Sequence, residues 1–381
     1  MIRSKLPNVG TSIFAVMSGL ARECKAINLS QGFPDFDCHP DLKKRIAHYM
    51  NSGHNQYAPM QGVPALREAI ASKTERLYGI SYDPEKEITV TAGATQAIYT
   101  AIAAVVQEGD EVIVFEPAYD CYVPAIELHG GKPVFVQLTP PDYGINWNQV
   151  KKLVNNHTRM IIINTPHNPT GTVMSAKDME ELQKLTKGTD IIVLSDEVYE
   201  HIIFEGIDHQ SVARFPDLAS RSFIISSFGK VYHTTGWKMG YCLAPPSLTE
   251  EFRRVHQFVV FSVNTPIQLA YADFMKEPSH YLELNAFYEE KRDRFTKLMQ
   301  DGPFTMNPAK GTYFQLMDFS QVSEEKDTDY AIRLTREFGV ASIPISVFYH
   351  NKADHKMLRF CFAKSNETLE KAARNLCKIY A

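Results

Sequence analysis

The chain has 381 residues, 44% of them apolar, enough to bury one large core or two moderate ones. Its formal net charge is -4 with both signs interspersed, so no basic face or tail invites nucleic acid or an anionic membrane, and neither partner is expected. No run of 18 apolar residues occurs and MIRSKLPNVGTSIF lacks an apolar leader core, so neither a transmembrane helix nor a signal peptide is expected, and the cytoplasm is the expected compartment. The six cysteines are scattered without a CxxC, and the thirteen histidines show no metal-ligand spacing, so a disulfide framework, a zinc site and metal catalysis are not expected.

In chain order, ITVT (88–91) precedes the alanine-rich ATQAIYTAIAAVV. EVIVF (111–115), PVFVQL (133–138), MIIIN (160–164), IIVLS (191–195), FIIS (223–226) and GYCLA (240–244) follow. Continuous β-branched runs of this kind are buried on both faces, which predicts a mostly parallel sheet covered by helices, an α/β domain. A helical pattern then spans about 249–299, with a break expected near 262–266. Strand-like TYFQLMDF, a helix DYAIRLTREFG ending on its glycine, strand-like MLRFCFA and a closing helix ETLEKAARNLCKIY complete the chain. In the last helix Leu369, Ala372, Ala373, Leu376 and Ile379 share one face, so this end reads as a smaller α+β domain.

Ligands of an open α/β sheet bind beyond the carboxyl ends of its strands. There the sequence places Gly93-Ala94-Thr95, Glu116-Pro117-Ala118-Tyr119, TPHNPTG with Asn168, Asp196-Glu197-Val198-Tyr199 and Ser227-Phe228-Gly229-Lys230. Each fragment alone has an ordinary structural reading: a helix cap, a core tyrosine, a turn asparagine, a capping aspartate, a solvated lysine. Together they meet the needs of pyridoxal phosphate, namely an amine, a carboxylate for the pyridine nitrogen, donors for the phenolic oxygen, a phosphate cup and an aromatic face. Lys230, Asp196, Asn168 with Tyr199, the 93–95 turn and Tyr119 supply these in turn, and Ser227 and Lys238 add a hydroxyl and a cation at the phosphate.

The blocks NTPHNPTG, SDEVYEH, SSFGKVYHTTGWKMGY and LRFCFAK resemble the class I/II aminotransferases of the aspartate aminotransferase fold, fold type I among pyridoxal-phosphate enzymes. NLSQGFPDF, NQYAPMQGVPALREAI and HQFVVFSVNTPIQLA extend the likeness over nearly the whole chain, which is most similar to the methionine aminotransferase branch, near the kynurenine aminotransferases and glutamine transaminase K. The resemblance implies a large cofactor-binding domain over 39–280, with a mostly parallel seven-stranded sheet flanked by helices. A small α+β domain from 1–38 and 281–381 and a homodimer with shared active sites are also implied.

Carried over by motif, Lys230 is the Schiff-base lysine and proton shuttle, and Asp196 the pyridinium partner. Asn168 and Tyr199 stand at the phenolic oxygen and Tyr119 on the ring. Gly93, Ala94, Thr95, Ser227 and Lys238 surround the phosphate, with Tyr57 reaching in from a second subunit. Arg359 takes the substrate α-carboxylate as a planar fork, with Gly32 and Asn168 beside it. Phe14 and Phe33 line the side-chain pocket, together with Phe261 of the neighbouring subunit. Two positions depart from the pattern: Lys238 stands where many relatives have arginine, and His167, for which a turn role is expected, stands where the kynurenine branch commonly has asparagine. The implied reaction is ping-pong transamination from methionine, glutamine or aromatic donors such as phenylalanine, tyrosine and kynurenine to an α-keto acid. A cysteine S-conjugate β-lyase and a cofactor-binding regulator are the alternatives.

Overall fold

The computed structural model describes residues 3–380. Its central sheet is built from β2 to β8, numbered after β1 (Ile27–Asn28): β2 (Ile88–Thr91), β3 (Glu111–Glu116), β4 (Lys132–Gln137), β5 (Thr158–Asn164), β6 (Ile192–Asp196), β7 (Ser222–Ser227) and β8 (Gly240–Leu243). The strand order is β2-β8-β7-β6-β5-β3-β4. Every pair from β4 to β7 is parallel, and β8 alone runs against its two neighbours, so the expected mostly parallel seven-stranded sheet is present.

The continuous apolar runs follow from burial on both faces. Side chains alternate across a strand, so Ile113, Ile161, Ile163 and Val193 enter one hydrophobic core while Val112, Val114, Ile162 and Leu194 enter the other. The helices that position the site come early in the chain: α1 (Ile13–Glu23), α2 (Pro40–Asn51), α3 (Pro64–Tyr78), α4 (Ala94–Val105) and α5 (Tyr122–Leu128). In α4, Ala97, Ile98, Ala101 and Ile102 form the buried face, and the small alanines let the helix lie close over the sheet. It starts at Gly93, whose φ of +82° a side-chain-bearing residue rarely adopts, and no side chain caps its first turn.

The long helical pattern breaks where expected. Helix Pro246–Val259 ends, Phe261 takes a φ of +66°, and helix Thr265–Phe274 starts behind the Asn264 cap with a proline in its first turn. A short helix, Ser279–Leu282, and a long one, Leu284–Leu298, complete it, so the pattern also breaks at 275–278, where the sequence carries no expectation of a break. Beyond it lie β9 (Phe314–Asp318), β10 (Val340–Ala341), β11 (Ile343–Pro344) and β12 (Met357–Cys361). β11, β12 and β9 form an antiparallel sheet, whereas β10 pairs in parallel with β1, tying the amino-terminal segment to the carboxyl-terminal third. The last helix buries Leu369, Ala372, Ala373 and Leu376 as its pattern predicts, but it ends at Leu376 and tightens into a 3₁₀ turn over Cys377–Tyr380. Among the described residues no helix is long and apolar enough to cross a membrane.

Candidate active site

The carboxyl ends of β3, β5, β6 and β7 and the start of α4 open onto one cavity of about 210 Å³. Of the residues singled out in the sequence, Phe14, Gly32, Gly93, Ala94, Thr95, Tyr119, Asn168, Asp196, Tyr199, Ser227, Lys230, Lys238 and Arg359 all line it. One end is cationic. The uncapped turn of α4 presents backbone N–H groups, and Lys238, itself at φ +54°, brings Nζ to 3.5 Å from where a Cβ on Gly93 would stand. The Ser227 side chain caps nothing and faces the same space, as does Thr235.

Across the cavity Asp196 closes β6. Its Oδ2 accepts from Tyr122 Oη at 2.6 Å, and burial pushes its carboxyl up to about 6 against the opposing pull of that bond. The backbone beneath it is locked: Asn164 Nδ2 donates to the Asp196 carbonyl at 2.8 Å, and Asn164 Oδ1 accepts from Asn168 N at 2.8 Å. This bridge ties the backbone at Asn168 to that at Asp196 even though the two lie on different strand ends. Tyr119 and Tyr199 flank the space with phenols that burial pushes above their ordinary range.

Lys230 sits on the helical turn Phe228–Val231 that follows β7. A Cβ on Gly229 would meet Thr235 Cα at 2.9 Å, so glycine is what lets this turn pass close to the 234–238 loop. Lys230 Nζ donates to Tyr313 Oη at 2.8 Å and to the Gly32 carbonyl at 3.1 Å, and burial lowers its pKa to about 8. Arg359, on β12 and 1% exposed, donates from Nη1 to Asn168 Oδ1 at 2.6 Å and from Nη2 to the Ser30 carbonyl at 3.2 Å. Its Cζ lies 3.8 Å from the Phe314 ring centroid, and its Nε has no partner among the described residues. Arg359 lines the cavity, and a buried guanidinium with one N–H unpaired is a receptor for an anion.

Four singled-out residues, Phe33, Tyr57, Phe261 and His167, lie outside this cavity. Phe33 is exposed beneath Lys364 Nζ, 4.9 Å from its ring centroid. Tyr57 is 83% exposed and stands edge-to-face against Phe261 at 5.4 Å, with the two segments pinned by Thr265 Oγ1 on the Gln56 carbonyl and Ser262 Oγ on the Ala58 carbonyl. His167 is buried against Thr170 Oγ1 at 2.7 Å, and burial lowers its pKa to about 4, which fits the turn role expected of it. Sequence reasoning missed Tyr122, Asn164, Thr235, Tyr313 and Phe314. Asn164 and Tyr122 carried a weak signal, one as the last residue of a strand and the other three residues beyond Tyr119. Tyr313 and Phe314, inside a strand-like run, carried none.

Residues 25–376 match the family model for aminotransferase class I and II, and the chain belongs to that family of pyridoxal-phosphate-dependent aminotransferases. It is 52% identical over 375 residues to the methionine aminotransferase of Escherichia coli (strain K12), covering 98% of this chain and 97% of that one. Over 409 residues it is 32% identical to kynurenine–oxoglutarate transaminase 1 of Mus musculus, covering 98% and 96%. The solved structure of YbdL from Escherichia coli, which identified a methionine aminotransferase function, superposes with a TM-score of 0.97 at 51% identity, covering 99% of each chain.

Proposed function

We propose that this aminotransferase moves the amino group of methionine to an α-keto acid, with glutamine, phenylalanine, tyrosine and kynurenine as further donors. The observation that carries the reading is one cavity holding a lysine amine, a buried carboxylate and a buried guanidinium with a vacant donor. The likeness to the methionine aminotransferase of Escherichia coli supports methionine.

Bound in the cavity, pyridoxal phosphate supplies an aldehyde for amine exchange and a ring that withdraws electrons from the donor's Cα. The α4 N-terminus from Gly93 to Thr95, Ser227 and Lys238 would hold its phosphate, joined by Tyr57 from a second copy. Asp196 would face the pyridine nitrogen. A carboxyl that burial has pushed up to about 6 gains from a buried cationic partner, and the pair offsets its desolvation. Asn168 and Tyr199 would donate to the phenolic oxygen, and Tyr119 would cover the ring. Arg359 would take the donor's α-carboxylate, with Gly32 and Asn168 beside it. Phe14, with Phe261 of the second copy, would enclose the donor's side chain, whereas Phe33, expected there from the resemblance, stands outside the cavity against Lys364.

Lys230 Nζ would take the proton from the donor's Cα and hold it for its return. A pKa near 8 raises its neutral fraction at neutral pH roughly 300-fold over an unperturbed lysine, which is what a base requires. We further propose that residues 39–280 form one domain and 1–38 with 281–381 the other, working as a cytoplasmic homodimer. The β1–β10 pairing supports that grouping.

The test is an absorbance titration of the purified protein. Methionine should bleach the visible band of Lys230-bound cofactor, and an α-keto acid should restore it. Lys230→Ala should lower turnover by at least about 10²-fold to 10⁴-fold. A protein that takes up no pyridoxal phosphate, or an active Lys230→Ala variant, sinks the proposal. Sustained release of pyruvate and ammonia from a cysteine S-conjugate without an acceptor would favour the lyase instead.

A further inference from the structure

We propose that Tyr313 is a positioning residue for Lys230: its hydroxyl and the Gly32 carbonyl form a seat that holds the lysine amine whenever it is not covalently joined to a carbonyl carbon. The inference rests on the functional reading above and deepens it. Tyr313 is fully buried immediately before β9, on a different sheet from the strand that leads into Lys230. Its hydroxyl donates to the Gly32 carbonyl and accepts from Lys230 Nζ at 2.8 Å, while Nζ also reaches the Gly32 carbonyl at 3.1 Å. A phenol has one proton to give. With that proton on Gly32, the hydroxyl oxygen can only accept, so the amine meets two acceptors.

The seat is rigid. The Tyr313 ring stands edge-on to Tyr199 at 5.1 Å and 87° and to Phe314 at 4.9 Å and 72°, and lies against Tyr288 at 5.6 Å. Gly32 is held just as closely, because a Cβ there would meet Phe314 Cζ at 2.7 Å. A released lysine is a four-carbon stem with many rotamers, and two fixed acceptors select one of them. Each half-reaction needs the same amine to leave, move a proton and return. Keeping it in reach between those events is the work assigned to Tyr313.

Two acceptors also favour the charged amine, opposing the burial that lowers its pKa. Removing one acceptor should therefore move Lys230 to a still lower pKa. The test uses full-length Tyr313→Phe. In cofactor-free protein the Lys230 amine condenses with the aldehyde of pyridoxal phosphate, forming a C=N bond and releasing water, and only the neutral amine reacts. The pH midpoint of that capture rate reports on Lys230 without turnover. Tyr313→Phe should shift the midpoint to lower pH. It should lower kcat on methionine about tenfold with KM changed less than about threefold, and enlarge the isotope effect with Cα-deuterated methionine, as expected when proton transfer is slowed.

A tyrosine with only a packing role would alter thermal stability and leave both the midpoint and the isotope effect where they were. Incorporating 3-fluorotyrosine at position 313 keeps the ring and the hydroxyl but weakens the acceptor. It should shift the midpoint the same way by less, and this arm stands even if Tyr313→Phe folds poorly. An unmoved midpoint in both variants overturns the inference. Failure of the unsubstituted protein to capture pyridoxal phosphate on Lys230 overturns the functional reading itself, a result visible before any variant is compared.

Discussion

Arg359 joins charge to shape more tightly than any other residue of the site. Its planar head is held by Asn168 Oδ1 and the Ser30 carbonyl and lies against Phe314, which leaves one edge for a carboxylate. Lysine keeps the charge but loses the fork and the stacking, so Arg359→Lys should lower kcat/KM for methionine by about 10-fold to 100-fold, the worth of a charge-assisted hydrogen bond or two. Steady-state kinetics check this. Asp196 carries a cost that shows in the cofactor-free protein. Its folded pKa of about 6 lies above the unfolded value, so between about pH 4 and 6 the folded chain holds more protons than the unfolded one. Stability from this group therefore falls as pH rises through that window, by about 3 kcal/mol as an order of magnitude, and stays lower above it. Asp196→Asn should abolish turnover yet melt a few degrees higher than the parent near pH 7.5, with the gain vanishing near pH 4. Melting curves of cofactor-free protein at the two pH values decide it.

At the scale of elements, α3 is fastened to the sheet by a buried ion pair. Lys73 Nζ donates to Glu200 Oε1 at 2.6 Å and to Tyr241 Oη at 2.9 Å, while Tyr78 Oη and Ser226 Oγ also donate to the Glu200 carboxylate, at 2.6 and 2.9 Å. The cluster thus ties α3 to the segment after β6, to β7 and to β8. Burial pushes the Glu200 carboxyl up, but Lys73 and its other partners overcome this and hold it well below the usual carboxylate range. Removing one partner strands the other, so Lys73→Met should cost about 3–5 kcal/mol in urea unfolding. The double variant with Glu200→Gln should regain most of that loss, because it is the uncompensated charge and not the missing methylene contacts that dominates.

On the scale of the whole molecule, one group of exposed apolar side chains falls in two pinned segments. Phe258 is 86% exposed, and Val259, Phe261 and Tyr57 are exposed beside it in the same two pinned segments. Aromatic residues gathered in this way mark an interaction surface, and the proposed partner is a second copy that receives Tyr57 and Phe261 in its cavity. Phe258→Glu should shift sedimentation from dimer to monomer, and activity should fall with the dimer fraction. A variant that remains fully active as a monomer would remove Tyr57 and Phe261 from the site.

The sequence by itself determined the seven strands of the sheet, because a continuous β-branched run has few other fates than a doubly covered strand, although the edge strand β4 is only half-buried. It also placed Gly93, Asp196 and Lys230 at one rim, since each follows such a run within a few positions and the topology of an open sheet gathers those ends into one cavity. Arg359 was legible only through its motif. Tertiary structure decided what no local pattern encodes: the reversal of β8, the β1–β10 pairing, the Tyr122 bond to Asp196, and the meeting of Lys230 with Tyr313 across 83 residues and of Arg359 with Asn168 across 191. A tyrosine in a strand-like run reads as core, and Tyr313 is core in every atom but one. Its hydroxyl acquires a role only when a distant sheet folds it against the lysine, because a hydrogen bond depends on separation in space and leaves no period in the chain.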